Sequence, residues 1–338
     1  MKTKFYFLPI LLLGGLSLFT ACSDDDDENG GGQPSGPVIG PSGTNSGARL
    51  TSISADWGKT TYFQYNEDGT IKRISEEEDG EEDDWIAMTY NPFRMETSEY
   101  GFLKNVSFND DGYLTGLAFE YSESDEEEGW SETGKGDMKL TYNSNGNPTK
   151  ITFTGSYRGK EDGESFSGQY TASITYSWKE GNLAKIQSTY NDFEDGESWR
   201  HTETYEFEYS DEVNKFQQYI IGVDDANDFS EYFAPIGWLG KWSKNYPSSC
   251  TVLDVEEGPE GKYENTYTRS WSNFSTTSDG LLSGYKYNRT EYTYTYDNTA
   301  PTAKKAAAKQ TLDNNASSPR TKKMSRHHLR HARMLNRK

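Results

Sequence analysis

Four acidic loops, each ending on an aromatic ring, hold most of the side chains in this chain that could do chemistry. They read EEEDGEEDDW to Trp85, SDEEEGW to Trp130, KEDGESF to Phe166 and FEDGESW to Trp199. An aromatic face is an apolar platform with a preferred stacking geometry, and a carboxylate beside it accepts hydrogen bonds from hydroxyl groups. The combination suits a sugar, so Trp85, Trp130, Phe166 and Trp199 are the candidate ligand-binding residues. The bland alternative is that these rings open strands and cap a core. Within the five residues EDGES, which occur twice, Asp162, Glu164, Asp195 and Glu197 are weak candidate oxygen ligands for calcium. Paired carboxylates also serve glycoside hydrolysis, but nothing in these loops sets an acid apart from a base, and EF-hand spacing is absent.

Other reactive side chains are sparse. Of the four histidines, His327, His328 and His331 lie in the last stretch of the chain and only His201 lies in the body, where it reads as an ordinary strand residue after Trp199-Arg200. His327 and His331 would share one face of a helix from Lys322 to Arg337 and could take up zinc or nickel, but no carboxylate or cysteine stands near them. Cys250, in YPSSCTVL, has no neighbouring histidine and reads as a small buried residue. Phosphate-cradling glycine loops and zinc-protease motifs are absent. The chain therefore reads as a non-enzyme with no cofactor beyond calcium, and a surface glycoside hydrolase is the weakest of its readings.

The elements that must position the loops follow from a repeat. Its copies are FQYNEDGTIKRI (Phe63 to Ile74), VSFNDDGYLTGL (Val106 to Leu117), LTYNSNGNPTKI (Leu140 to Ile151) and the longer ITYSWKEGNLAKI (Ile174 to Ile186). A weaker copy, FEYSDEVNKF (Phe207 to Phe216), has Asn214 in the place read as glycine. Gly69, Gly112, Gly146 and Gly181 are 43, 34 and 35 residues apart, a regular spacing. Apolar residues alternate with polar ones on both sides of an Asp-Gly, Asn-Gly or Glu-Gly pair, which marks a β-hairpin. Tyr205, Phe207 and Tyr209 share one side of a strand and Glu206 and Glu208 the other, as do Tyr292, Tyr294 and Tyr296 against Thr293 and Thr295. The expected fold is all-β: an antiparallel up-and-down meander, barrel-like, of ~12 to 14 strands. Tight turns lie at one end and acidic loops at the other, with one short helical insertion near 230–245.

The N-terminus supplies an address. Lys2 and Lys4 precede an apolar run from Phe5 to Phe19, and Thr20 and Ala21 lead into Cys22 and the tract CSDDDDE. This is a secretory signal with a cleavage site, and its apolar run, 15 residues long, falls short of the ~20 that span a bilayer. A cysteine at that position resembles the lipobox of bacterial lipoproteins, which implies acylation of Cys22, palmitate included. The acidic residues after it look like the export signal of the Bacteroides group for the outer face of the outer membrane. The expected organisation is a signal peptide over 1–21, an acidic, Gly/Pro/Ser-rich tether over 22–48 that cannot order itself, a β domain over 49–298 and a basic disordered tail over 299–338.

Charge is divided unevenly. Residues 301–338 hold 11 Lys or Arg and one acid, a net of +10, so the −20 of the whole chain leaves −30 for residues 1–300. Such a tail can grip anionic polymers or the protein's own acidic loops, and is read as an appendage, with nucleic acid not among the expected partners. The lipobox, the aromatic-x-aromatic hairpins and the segment YFAPIGWLGKWSKNYPSS (Tyr232 to Ser249) resemble a family of Bacteroides surface lipoproteins whose domain has a porin-like β fold and no assigned function. The resemblance implies architecture and surface location, and carries over no catalytic residue. A barrel that spans the membrane is not expected, because the apolar faces rely on tyrosine and a lipid anchor would be redundant. The expected function is a lipid-anchored surface binding module for a glycan or other extracellular ligand. The alternative is a scaffold or adhesin, calcium-stiffened or docked to outer-membrane proteins.

Overall fold

The computed structural model describes residues 48–297, apart from 91, 92, 99, 100, 126–129, 162, 163, 195, 228 and 260. Cys22, the tether before residue 48, the basic tail with His327 and His331, and two of the calcium candidates, Asp162 and Asp195, lie outside the described residues. The strands run in chain order as β1 (Arg49–Ala55), β2 (Thr60–Tyr65), β3 (Ile71–Glu78), β4 (Glu81–Tyr90), β5 (Phe93–Thr97) and β6 (Gly101–Phe108). The longer β7 (Leu114–Asp125), β8 (Trp130–Tyr142), β9 (Pro148–Glu161), β10 (Glu164–Lys179), β11 (Asn182–Glu194) and β12 (Glu197–Val213) follow. After the four-residue helix α1 (Ser230–Phe233) come β13 (Asn245–Gly258), β14 (Gly261–Thr276), β15 (Leu282–Tyr287) and β16 (Thr290–Asp297). Each strand pairs antiparallel with the next and β16 pairs with β1, which closes a barrel of 16 strands. The count exceeds the expected 12 to 14 because strands such as β5 and β15 are only five and six residues long and leave a weak alternation.

Turn chemistry explains the repeat. Gly69, Gly112 and Gly146 take positive φ (91°, 81° and 82°) in turns where the glycine N–H donates three residues back, as from Gly69 to the Asn66 carbonyl. The Asn66 N–H in turn donates to the Thr70 carbonyl, so the hairpin closes across a five-residue span. The longer copy differs: Glu180 and Gly181 both have positive φ (54° and 85°), the signature of a two-residue hairpin turn. A further copy at Thr277–Leu281, with Gly280 at φ 87°, closes in the first manner and has no counterpart in the sequence reading. In the weak copy the glycine place belongs to Gln217 (φ 51°), not to Asn214, because the Gln217 N–H donates to the Asn214 carbonyl.

That weak copy opens the barrel interior to the chain. Its closing bond runs from the Asn214 N–H to the carbonyl of Lys244, 30 residues on instead of four, so 26 residues are inserted into one hairpin turn. The insertion folds inward as a plug carrying buried Tyr219, Ile221, Phe233, Ile236, Trp238 and Trp242. Only Ser230–Phe233 of the expected helical stretch is α-helix. Backbone bonds from Leu114 to Trp238, Lys241 to Gly146 and Lys244 to Gly181 stitch the plug to the turn end. Deeper, Tyr176 donates to Asp224 (2.6 Å), the Trp271 indole donates to the Ile221 carbonyl (3.1 Å) and Arg269 pairs with Asp225.

Polarity runs apolar inside and charged outside. Ile74, Met95, Leu114, Met138, Ile151, Ile174, Ile186 and Val252 point into the plugged interior and are almost fully buried. Their strand neighbours carry Lys139, Lys150, Gln187 and Glu206 on the exposed side, with cross-strand ion pairs Lys104–Glu120 (2.8 Å) and Lys185–Glu206 (3.6 Å). A membrane-spanning barrel has the reverse arrangement, and each Lys or Arg on a lipid face costs about 2–4 kcal/mol at mid-bilayer. The outer surface of this barrel is built for water.

Candidate functional site

Strand length positions the site. β7–β14 are 12 to 17 residues long, whereas β1–β6, β15 and β16 are 5 to 10. β6 pairs with β7 only up to Lys104↔Ala118, while β7 and β8 stay paired to Asp125↔Trp130. At the other margin β15 covers β14 only over Trp271–Thr276, while β14 follows β13 out to Gly261. Eight strands therefore rise past the rest of the barrel as a wall. At roughly 3.4 Å per residue, the seven residues Phe119–Asp125 of β7 alone extend it about 24 Å.

The inner face of the wall continues the parity of the buried core residues. On β10 the buried Tyr176 and Ile174 lead outward to Ala172, Tyr170, Gly168 and Phe166, and on β12 the buried Tyr205 leads to Glu203, His201 and Trp199. Glycines face these rings across the strands: a Cβ at Gly134 would overlap Tyr121, at Gly155 Tyr170, at Gly159 Phe166, at Gly168 Tyr157 and at Gly258 Trp199. A ring laid over a neighbouring strand's glycine covers backbone that has no side chain of its own. The result is a face paved with flat aromatics, in which Tyr170 and Tyr190 stack at 6.1 Å and Tyr157 meets Phe166 at 6.2 Å.

Carboxylates stand among the rings. The Tyr121 hydroxyl donates to Glu132 (2.5 Å) and the Tyr157 hydroxyl to both oxygens of Asp192 (3.1 and 3.0 Å). His201 Nε2 lies 2.7 Å from Asp254 Oδ1, with Glu256 beside them. Burial, with smaller contributions from Asp137 and Glu132, pushes the Tyr170 hydroxyl up to about 12, so it stays a neutral donor at physiological pH. A solvent-open hollow of about 600 Å³ toward the far end of β10–β13 is lined mainly by side chains of the opposite parity, Gln169, Phe193, Arg200 and Glu257 among them, and so lies on the outer face of the wall, away from the paved one.

The sequence-derived candidates fall in two places. Trp130, Phe166 and Trp199 share the inner-face parity and are half-buried. Trp85 does not join them: it lies on β4 in the low sector, next to the inward Ile86, with the Arg73 guanidinium 4.7 Å from its ring. Glu164 and Glu197 are exposed at the wall's tip, paired across their turns with Glu161 and Glu194. Cys250 is fully buried, and burial pushes its thiol up to about 12, far from a nucleophile's range. Tyr157, Tyr170, Tyr190, Asp254 and Glu256 escaped the sequence reading. Their signal is the strand alternation, which gives each residue's face but not which strands lie side by side.

No protein-family model matches the chain, and no curated protein does. Among solved structures, a porin-like protein from Bacteroides vulgatus ATCC 8482 is similar with a TM-score of 0.43 and 12% identity, over 73% of this chain and 98% of that one. A porin-like protein from Bacteroides uniformis ATCC 8492 is similar with a TM-score of 0.42 and 12% identity, over 74% of this chain and 95% of that one.

Proposed function

We propose that the chain is a lipid-anchored binding module of the cell surface, without catalysis, which holds a glycan on the inner face of its projecting wall. The carrying observation is the paving of aromatic rings over glycines beside half-buried carboxylates such as Asp192 and Asp254. Flat rings spaced along adjacent strands match the apolar faces of successive sugar units, and the carboxylates match their hydroxyls. Anchorage at the outer membrane through acylated Cys22 fits the topology. Arg49 begins β1 at the turn end of the barrel, the end opposite the wall.

Glycan-array screening of the mature protein, alongside variants with Trp130 or Trp199 changed to alanine, tests this reading. The parent protein is expected to retain at least one polysaccharide, and the variants to lose most of that signal while keeping the parent's thermal stability to within a few degrees. Absence of sugar binding in the parent would end the glycan reading.

A further inference from the structure

We infer that His201, Asp254 and Glu256 form a binding site for a divalent transition-metal ion of the zinc type on the inner face of the wall. His201 and Glu256 are direct cross-strand partners of β12 and β13, and Asp254 is the next residue of the same parity on β13. One imidazole nitrogen and two carboxylate oxygens lie within 4.8 Å of one another. Three points that far apart or closer lie within about 2.8 Å of a common centre, against the 2.0–2.2 Å of zinc bonds to nitrogen and oxygen, so side-chain shifts under an ångström complete the tripod. Two carboxylates and an imidazole suit zinc or manganese, and three protein ligands leave a fourth position for water or a ligand oxygen.

The surroundings favour a cation. Glu203 stands directly across from Asp254, and like charges placed opposite each other in a sheet are destabilising. Flanking positions on the same face hold Tyr190 and Ser188 on β11 and Tyr263 and Asn265 on β14, none of them cationic. Among the described inner-face residues of β10–β14 the only permanent cation is Arg269, which is taken by Asp225 and lies against Tyr205 and Tyr267. The site is half-buried, with His201 and Asp254 side chains 32% and 21% exposed, so an ion can enter from the open face. The inference does not depend on the glycan reading.

The test is isothermal titration of the mature full chain with zinc chloride, using a background in which His327, His328 and His331 are changed to glutamine so that the tail contributes no imidazole. One saturable site is expected, weakened roughly tenfold or more by His201→Gln and by Asp254→Asn, with circular dichroism unchanged. Absence of saturable zinc binding, or binding that both substitutions leave intact, overturns the site. Equal affinity for calcium chloride overturns its assignment to a transition metal.

Discussion

The hydroxyl of Tyr142, at the end of β8, donates to the backbone carbonyl of Leu114, at the start of β7, at 2.6 Å. The same bond recurs around the turn end, from Tyr65 to Leu50, Tyr90 to Ile71, Tyr209 to Leu183 and Tyr296 to Leu282. In β10 a tryptophan takes the tyrosine's place, with the Trp178 indole donating to the Pro148 carbonyl at 2.7 Å. An aromatic donor just before the turn, such as Tyr65, Tyr142 or Trp178, is therefore a bolt between one strand's end and the preceding strand's start. Tyr142→Phe keeps the ring and removes the donor, and should cost about 1 kcal/mol or somewhat more in urea denaturation. Tyr263→Phe, on an exposed ring, should cost less than about 0.5 kcal/mol.

Buried tyrosines should set the alkaline limit of the fold. Burial holds the hydroxyls of Tyr170, Tyr246 and Tyr292 up at about 12, and also raises those of Tyr176, Tyr219 and Tyr285 well above the ordinary tyrosine value. An unfolded tyrosine ionises near pH 10, so above that pH the native state binds more protons than the unfolded one and stability falls as pH rises. Below pH 10 this contribution is fully present. Thermal melts from pH 8 to 12 should show midpoints dropping beyond pH 10, with tyrosinate absorbance rising in step with unfolding. Full tyrosine ionisation in a still-folded protein would contradict this.

Gly155 and Tyr170 should be coupled. Gly155→Ala drives a methyl group into the Tyr170 ring and is expected to destabilise by about 1–3 kcal/mol. In the Tyr170→Ala background the same change should cost much less, and a double-mutant cycle in urea measures the difference. Additive effects would mean that the ring does not lie on the glycine.

Lys59 secures the plug to the barrel wall. Its ammonium lies 3.1 Å from Glu76, whose side chain is only 3% exposed, and 3.4 Å from Glu231 of the plug, which is 40% exposed. Lys59→Met strands a buried carboxylate and should cost about 3–5 kcal/mol near neutral pH, whereas Glu231→Gln should cost at most about 1 kcal/mol. Burial, opposed by Lys59, pushes the Glu76 carboxyl above its usual range. A raised carboxyl favours the folded state while protonated and loses that advantage as pH rises through its folded value. The Lys59→Met defect should therefore be smaller at pH 4 than at pH 8, as read by chemical denaturation.

Much of the barrel could be read from the chain because hairpins are local. The Gly69, Gly112, Gly146 and Gly181 turns, the tyrosine-in, threonine-out alternation of β16 and the placing of acidic loops opposite tight turns all follow from neighbouring residues. Strand count was less legible, since β5 and β15 are too short to show a period. The plug hid behind Gln217, which adopts the left-handed conformation that glycine holds elsewhere, so the hairpin it interrupts looked degenerate. The His201, Asp254 and Glu256 cluster was out of reach for the same reason. The plug separates β12 from β13 in sequence, and which strand lies beside His201 depends on where the chain returns. Motif alone groups Trp85 with the other loop aromatics, but β4 belongs to the low sector, and a shared motif does not give a shared height.

The closure of β1 on β16 has a kinetic consequence. Every other pairing in the barrel joins strands that follow each other in the chain, whereas the pairs from Arg49↔Asp297 to Ala55↔Tyr292 join its two ends. Hairpin formation costs little loop entropy, and the seam must close a loop of some 240 residues. The folding order this implies is a zipper of hairpins that curls around the plug and locks last. Until β16 pairs with β1 the molecule is an open sheet with two raw edges. A chain cut short before Thr290 would keep most of its local hairpins and still expose the β1 and β15 edges to other chains.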